Sequence, residues 1–330
     1  MVMDFDFTLL GEVPAPKSFM VRREFRGVGS FKLTVQRDAG GLLARDRVIY
    51  RPDRPEQGWI IHRVSRSGDT LTVDGTPLKG LAKRRICLPP LITGGAYNQF
   101  GYDLFTGDAE SAYLHFAANN LTAPEDAARA IPRLVLDTNL HRGPELPWQA
   151  RFERLSDLFE DIGAATEVGW DIRPDFGAKR YVFGAWAGVD RTTGTGRCAL
   201  SRELGNVEGG SVTEDAGSAV TVVYAGGAGE DENRLVIVRY VDEEHNVLEE
   251  PLSGLARAEE MIDVGNVELP DEAEYEGLHK YVSGFSPLRT LTAQISPAGP
   301  FVYETDWDLG DKVTVQVRDA AVGSRCAWMR

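Results

Sequence analysis

Four short runs near the start of the chain, 19–25, 30–36, 46–50 and 58–66, carry β-branched and aromatic residues and are separated by Gly and Asp. That is the pattern of strands. GWIIHRVSRSGDTLTVDGTPL reads as a hairpin in which SRSGDT supplies the turn and LTVDG the returning strand. Leu71 and Val73 share one face there, with Thr72 on the other. PLKGLAKRRI predicts a short basic helix that ends at Pro89 and Pro90.

Between 96 and 169 the period changes from two to about 3.6. In DAESAYLHFAANNL, residues Ala109, Ala112, Tyr113, Phe116 and Ala117 fall on one helical face, with Asp108 placed as N-cap. TAPEDAARAI carries Thr122 and Glu125 at capping-box spacing, so a second helix is expected, with Pro124 tolerated in its first turn. PWQARFERLSDLFEDIGAATEVG gives the strongest helical signal. Trp148, Phe152, Leu155, Phe159 and Ile162 recur at helical steps, and Gly169 is placed to end the element. RLVLDTNL is a strand candidate between these helices.

After 170 the strands return. GWDIRPDF and RYVFGAWAG are expected to form one hairpin, and SAVTVVYAGG and RLVIVRYVDEE another, joined by the acidic loop GAGEDEN. LARAEEMID and DEAEYEGLHKYV, the latter with Tyr275, Leu278 and Val282 aligned, are predicted helices. LRTLTAQISP, FVYETDW and DKVTVQVRD are predicted strands. No segment of 20–50 residues repeats. Strands, helices and strands come in blocks rather than in βαβ alternation, so the expected class is β-rich α+β and a doubly wound nucleotide-binding sheet is disfavoured.

Composition narrows the function. The 330 residues are 42% hydrophobic and 26% charged, which excludes wholesale disorder. No uninterrupted apolar run reaches the roughly 18 residues of a membrane-spanning helix. The first residues, MVMDFDFTLLGEV, place acids where an export signal needs cations, and Cys87, Cys198 and Cys326 are too scattered for a disulfide framework. Both point to synthesis in a reducing cytoplasm. The net charge of −14 disfavours tight nucleic-acid binding. It is also uneven: residues 1–95 hold 16 Lys and Arg against 10 Asp and Glu, and residues 96–330 hold 20 against 40.

The search for chemistry yields no constellation. His62, His115, His141, His245 and His279 include no pair at the i,i+4 spacing of a zinc hydrolase. Asp103, Asp108 and Glu110 form the densest carboxylate group, and helix capping already accounts for Asp108 and Glu110. DWDLGD at 306–311 has Gly and Asp in the wrong order for a calcium loop and is better read as a turn entering the next strand. GTG at 194–196 and GGAG at 226–229 lack the spacing of a phosphate cradle. No catalytic, cofactor-binding or metal-ligating residue is assigned, no cofactor is expected, and the chain reads as a structural or interaction protein rather than an enzyme.

Several segments in order then carry a resemblance: GWIIHRVSRSGDTLTVDGTPLKGLAKRRI, YDLFTGDAESAYLHFAANNL, RLVLDTNLHRG, ERLSDLFEDIGAATEVGWDIR, YVFGAWAGVDRT and DWDLGDKVTVQV. Collinear from about 20 to 320, they resemble a siphophage tail family, the baseplate-hub or tail-associated proteins, similar to the central hub of contractile-tail phages. The segments at 184–191 and 309–313 are the more specific. The resemblance implies a homotrimeric ring with two tail-tube-like antiparallel β-barrels per chain, a helical or mixed domain between them and a small C-terminal mixed domain. The corresponding division is 1–95, 96–169, 170–252 and 253–330. It also implies a place in the virion tail, a lumen that DNA passes through transiently, and as partners a distal tail protein or tail tube above, tail fibre or tip proteins, and the tape-measure protein. Family hubs continue for several strands past the LGD element, so the last domain is expected to be minimal or completed by a neighbour. Alternatives are a tail-associated peptidoglycan hydrolase, a receptor- or carbohydrate-binding module using some of the six Trp, and the hub of a phage-derived injection machine.

Overall fold

The computed structural model describes residues 1–13, 16–36, 41–91, 97, 99–215, 217, 219–242, 246–265, 267–284, 288–297, 299–317 and 325–328. The chain is β-rich α+β, 41% strand and 18% helix, as the block order of its elements predicts. By compactness it divides into two units. The first is Met1–Asp190 with Asp308–Lys312; the second is Arg191–Trp307 with Val313–Met329.

The first unit opens with seven strands: β1 (Val2–Met3), β2 (Leu9–Gly11), β3 (Pro16–Arg22), β4 (Ser30–Val35), β5 (Val48–Arg51), β6 (Arg54–Ser67) and β7 (Thr70–Pro77). Their order is β2-β1-β5-β6-β7-β4-β3, and every pairing is antiparallel. The edges β2 and β3 do not pair with each other. Among the described residues the sheet is therefore open in the single chain, and the tube-like barrel expected over 1–95 is not seen closed. Side-chain alternation explains why it folds. Phe31, Leu33, Val35, Trp59, Ile61, Leu71 and Val73 bury one face, while Met3, Val48 and Ile60 enter a second core on the other. In β6 the run Trp59, Ile60, Ile61 is buried throughout because it serves both cores.

That second core is shared with the helices. α1 (Ala109–Ala117) begins at Asp108, whose carboxylate accepts from the Ser111 N–H, and its predicted face is fully buried. α2 (Leu155–Thr166) contributes Leu155, Leu158, Phe159 and Ile162. A hairpin of Val168–Asp175 and Arg180–Ala187, with Leu134–Leu136 added in parallel, closes the core with Trp170, Ile172, Tyr181 and Phe183. The sequence division at 169/170 thus does not coincide with the compact units: this hairpin packs on α1 and α2, and the first unit runs on to Asp190.

Several expectations are corrected. The helix read over 147–169 starts only at Leu155, because Glu145–Ala150 pairs antiparallel with Asp103–Asp108. Trp148 and Ala150 are buried on that strand by period-two alternation. Phe152 is left 46% exposed, in a left-handed conformation at φ 61°. The helix ends at Glu167, also left-handed, rather than at Gly169. No new helix starts at Thr122, which instead closes a π-helical turn, Ala118–Thr122, continuing α1; after Glu125 there is a single 3-10 turn, Ala127–Arg129, capped by Asp126. LARAEEMID is not a helix: Glu259–Asp263 is a strand parallel to Val222–Gly226. FVYETDW is a turn bridged between Tyr303 and Trp307.

In the second unit, a four-stranded sheet runs Val247–Leu248, Val236–Val241, Val222–Gly226 and Glu259–Asp263 in spatial order. Among the described residues it is open too, with no closed barrel over 170–252. α3 (Pro270–Gly284) packs on it through Ala273 and Tyr281 against Val223, Ala225, Val241 and Ile262. Leu278 packs against the same core, while the side chains of Tyr275 and Val282 lie outside the described residues. A smaller core gathers Cys198, Leu200, Val207, Val313 and Val315. Beside it, Val207–Asp215 pairs with Leu288–Ile295, and Ala199–Ser201 with Thr314–Val317.

Candidate functional site

The carboxylates singled out by sequence separate into three structural duties. Asp103 is buried and binds His115 Nε2 at 2.8 Å and Asn119 Nδ2 at 2.9 Å. Glu110, 1% exposed, forms a two-pronged salt bridge with Arg142 at 2.7 and 2.9 Å. Asp108 caps α1, taking the Ser111 N–H at 2.9 Å and the Ser111 hydroxyl at 2.6 Å. Burial pushes the Asp108 pKa up, but the bonds from Ser111 and His141 outweigh it and hold the carboxyl below its ordinary range. His141 completes a Ser, His and Asp group. Its Nδ1, however, faces both Asp108 at 3.0 Å and Ser111 at 3.3 Å, whereas a nucleophilic relay needs serine and carboxylate on opposite ring nitrogens. The group is a helix cap. His62 binds the Thr76 hydroxyl at 2.9 Å; His245 and the His279 side chain lie outside the described residues. Among the described residues, no cluster of three His, Cys, Asp or Glu is placed to hold a metal ion.

Sequence reading missed Lys79, which it placed in a basic helix. The residue is 3% exposed. Its ammonium donates to the carbonyls of Glu24 at 3.0 Å and Phe25 at 3.4 Å and lies 4.5 Å from the Trp170 ring centroid. Burial lowers its pKa to about 8, opposed by Asp171 and Glu24. Burial also raises the pKa of Asp171, opposed chiefly by Lys79. A cavity of about 30 Å³, room for a water molecule, lies among Arg23, Glu56, Trp59, Lys79 and Asp171. A lysine of lowered pKa is a nucleophile where a carbonyl substrate reaches it. With its ammonium engaged by two backbone oxygens and almost no exposure, Lys79 acts instead as a pin between the loop at 24–25 and the hairpin strand.

A second feature is a groove of about 470 Å³ lined by Lys83, Arg84, Arg85, Ile86, Arg129 and Arg154, with no carboxylate in its wall. Arg85 donates to the Arg129 carbonyl at 2.8 Å, and Arg129 to the Ile86 carbonyl at 2.7 Å and Asn120 Oδ1 at 3.1 Å. These acceptors are neutral, so they order the guanidinium groups without cancelling their charge. Among the described residues, Arg84 is the one cation of the groove with a salt bridge, to Asp46 at 2.8 Å. The Lys83-Arg84-Arg85 run is visible in the sequence; Arg129 and Arg154 join it only through the fold.

The two segments that carry the family resemblance most specifically meet at one junction. Lys312 N–H donates to the Val189 carbonyl at 2.9 Å, Val189 N–H to Asp311 Oδ1 at 2.8 Å, and Asp190 bridges Lys312. A Cβ on Gly188 would lie 1.7 Å from the Gly310 carbonyl, and Gly310 sits at φ 96°, so both positions demand glycine. Phe25 stacks edge-on against Trp186 at 5.5 Å beside them. Asp311 and Asp308 are occupied by backbone N–H groups, which makes DWDLGD the turn expected of it.

A β-rich fold of mostly antiparallel sheets is shared with a phage tail protein of known structure. The prophage tail protein gp18 of Listeria monocytogenes superposes with a TM-score of 0.50 at 11% identity, covering 99% of this chain and 87% of that one. A 43 kDa tail protein of prophage MuSo2 from Shewanella oneidensis gives 0.48 at 14%, over 92% and 84%. A tail protein of Neisseria meningitidis gives 0.47 at 16%, over 93% and 84%. No curated protein matches the sequence. The chain belongs to the siphovirus ReqiPepy6 Gp37-like proteins, whose family model matches residues 1–325. The siphophage tail resemblance read from the sequence is borne out.

Proposed function

We propose that the protein is a structural component of the virion tail tip, a baseplate hub that forms a homotrimeric ring at the distal end of the tail tube. Three copies, each with two tube-like domains, make a pseudo-sixfold ring matched to a sixfold tube. The observation that carries this reading is the family match across 1–325. The open sheets are consistent with it, since β2 and β3 leave edges that neighbouring chains can complete. The ring surrounds a lumen for transient, non-specific DNA passage and contacts a distal tail protein or tail tube above, with tip or fibre proteins and the tape-measure protein as further partners. Its role is mechanical rather than catalytic. No helix among the described residues is long and apolar enough to cross a membrane. Electron microscopy of assembled particles with this chain tagged tests the reading. A threefold ring at the tube's distal end is expected, and a twofold dimer there overturns it.

A further inference from the structure

The units differ sharply in charge: Met1–Asp190 with Asp308–Lys312 holds 25 Lys and Arg against 27 Asp and Glu, and Arg191–Trp307 with Val313–Met329 holds 10 against 23. The groove around Ile86 concentrates five cations in the first unit. Two features restrict what fits there. Ile86 is 43% exposed among the cations, and a phosphate backbone offers nothing apolar to cover it. The groove wall also has no aromatic ring on which a base stacks. An acidic protein segment with one apolar side chain satisfies both.

The second unit carries such a segment. At residues 249–260, Glu249, Glu250 and Glu260 are exposed and have no ion pair among the described residues. Leu255 stands between them, 107% exposed. The loop is held in place beneath. Arg257 donates to the Leu252 carbonyl at 3.2 Å and the Tyr224 hydroxyl at 2.7 Å, and Thr221 donates to the Ala256 carbonyl at 2.7 Å. A fully exposed leucine on a pinned acidic loop is a knob.

We propose that the 249–260 knob of one copy docks in the Lys83, Arg84, Arg85, Arg129 and Arg154 groove of the next, Leu255 against Ile86. The contact joins different surfaces of identical chains and therefore propagates head to tail, as a closed ring requires. It deepens the ring reading above and fails separately from it: a threefold ring built on other surfaces keeps that reading and overturns this contact.

The test is sedimentation of the full chain at low and high ionic strength. Wild type should self-associate at low salt and dissociate as salt screens the contact. Lys83→Glu with Arg154→Glu, both exposed positions, should weaken association about ten-fold or more, as should Glu249→Lys with Glu250→Lys. The chain carrying all four reversals should recover it, which simple misfolding does not produce; circular dichroism checks the fold of each. A wild type that stays monomeric at low salt overturns the proposal, as does association indifferent to the reversals or a chain with all four reversals that fails to recover. Random-sequence duplex DNA that binds wild type and loses binding only in the groove variant, with self-association unchanged, assigns the groove to phosphate and overturns it too.

Discussion

At the scale of single residues, Phe152 and Phe159 show how much burial depends on what precedes a helix. Both sit on the same helical stripe in the sequence. In the structure Phe159 is fully buried against Tyr113, Trp170 and Phe183, while Phe152 lies before the helix and is 46% exposed. Phe159→Ala is expected to cost about 3–5 kcal/mol and Phe152→Ala less than about 1 kcal/mol, read from denaturant midpoints of the first unit's transition. Equal losses would mean that the stripe is continuous after all. Lys79 gives a pH signature. Its pKa falls from 10.5 when unfolded to about 8 when folded, so between these values the unfolded chain holds more protons. The penalty of burying the charge is complete below pH 8 and fades as pH rises towards 10.5. Stability measured against pH should therefore shift in favour of wild type over Lys79→Met across that window. A difference that stays flat would show that Lys79 titrates normally.

Elements are held by specific junctions as much as by their stripes. The chain leaves the first unit at Asp190 and returns at Asp308–Lys312, and Gly188 and Gly310 let the outgoing and returning backbones touch. Gly188→Ala forces that contact apart and should cost about 1–3 kcal/mol. Gly196→Ala serves as the control, because its Cβ meets only the tip of Arg191 at 3.6 Å. If the two variants melt alike, the junction does not hold the return. The strand Glu145–Ala150 teaches a related lesson. Leu146, Trp148 and Ala150 alternate in the sequence, but the 4-3-4-3 spacing that runs through Trp148 masked the alternation. Pairing with Asp103–Asp108 decided in favour of the strand.

For the whole molecule, the ring reading makes a statement about charge. Duplex DNA slides through a pore without being held only if few phosphates meet cations along the wall, since each neutralised phosphate adds affinity. The excess of 40 Asp and Glu over 20 Lys and Arg after residue 95 offers material for such a wall, and the loop at 230–232 is one acidic element among several. Charged side chains facing the symmetry axis of an assembled ring should then be mostly Asp and Glu, with the basic excess of 1–95 turned to protein neighbours. A majority of Lys and Arg on the axis defeats the repulsive wall even in a threefold ring.

Local pattern was enough for β3 to β7 of the first sheet, though not for β1 and β2, for the capped face of α1, for the hairpin at 168–187 and for the collinear family resemblance. Within each strand, helix face or hairpin, the residues that share a face or a turn lie close in the sequence, so period and turn chemistry decide the element. Tertiary structure alone decided the rest. Glu259–Asp263 is a strand because Val222–Gly226 offers it a free edge. Lys79 is buried because the loop at 24–25 and Trp170 close over it. The basic groove exists because Arg129 and Arg154 fold onto the Lys83-Arg84-Arg85 run. These outcomes depend on backbone groups and cavities supplied by distant segments, and no window of the sequence contains both partners.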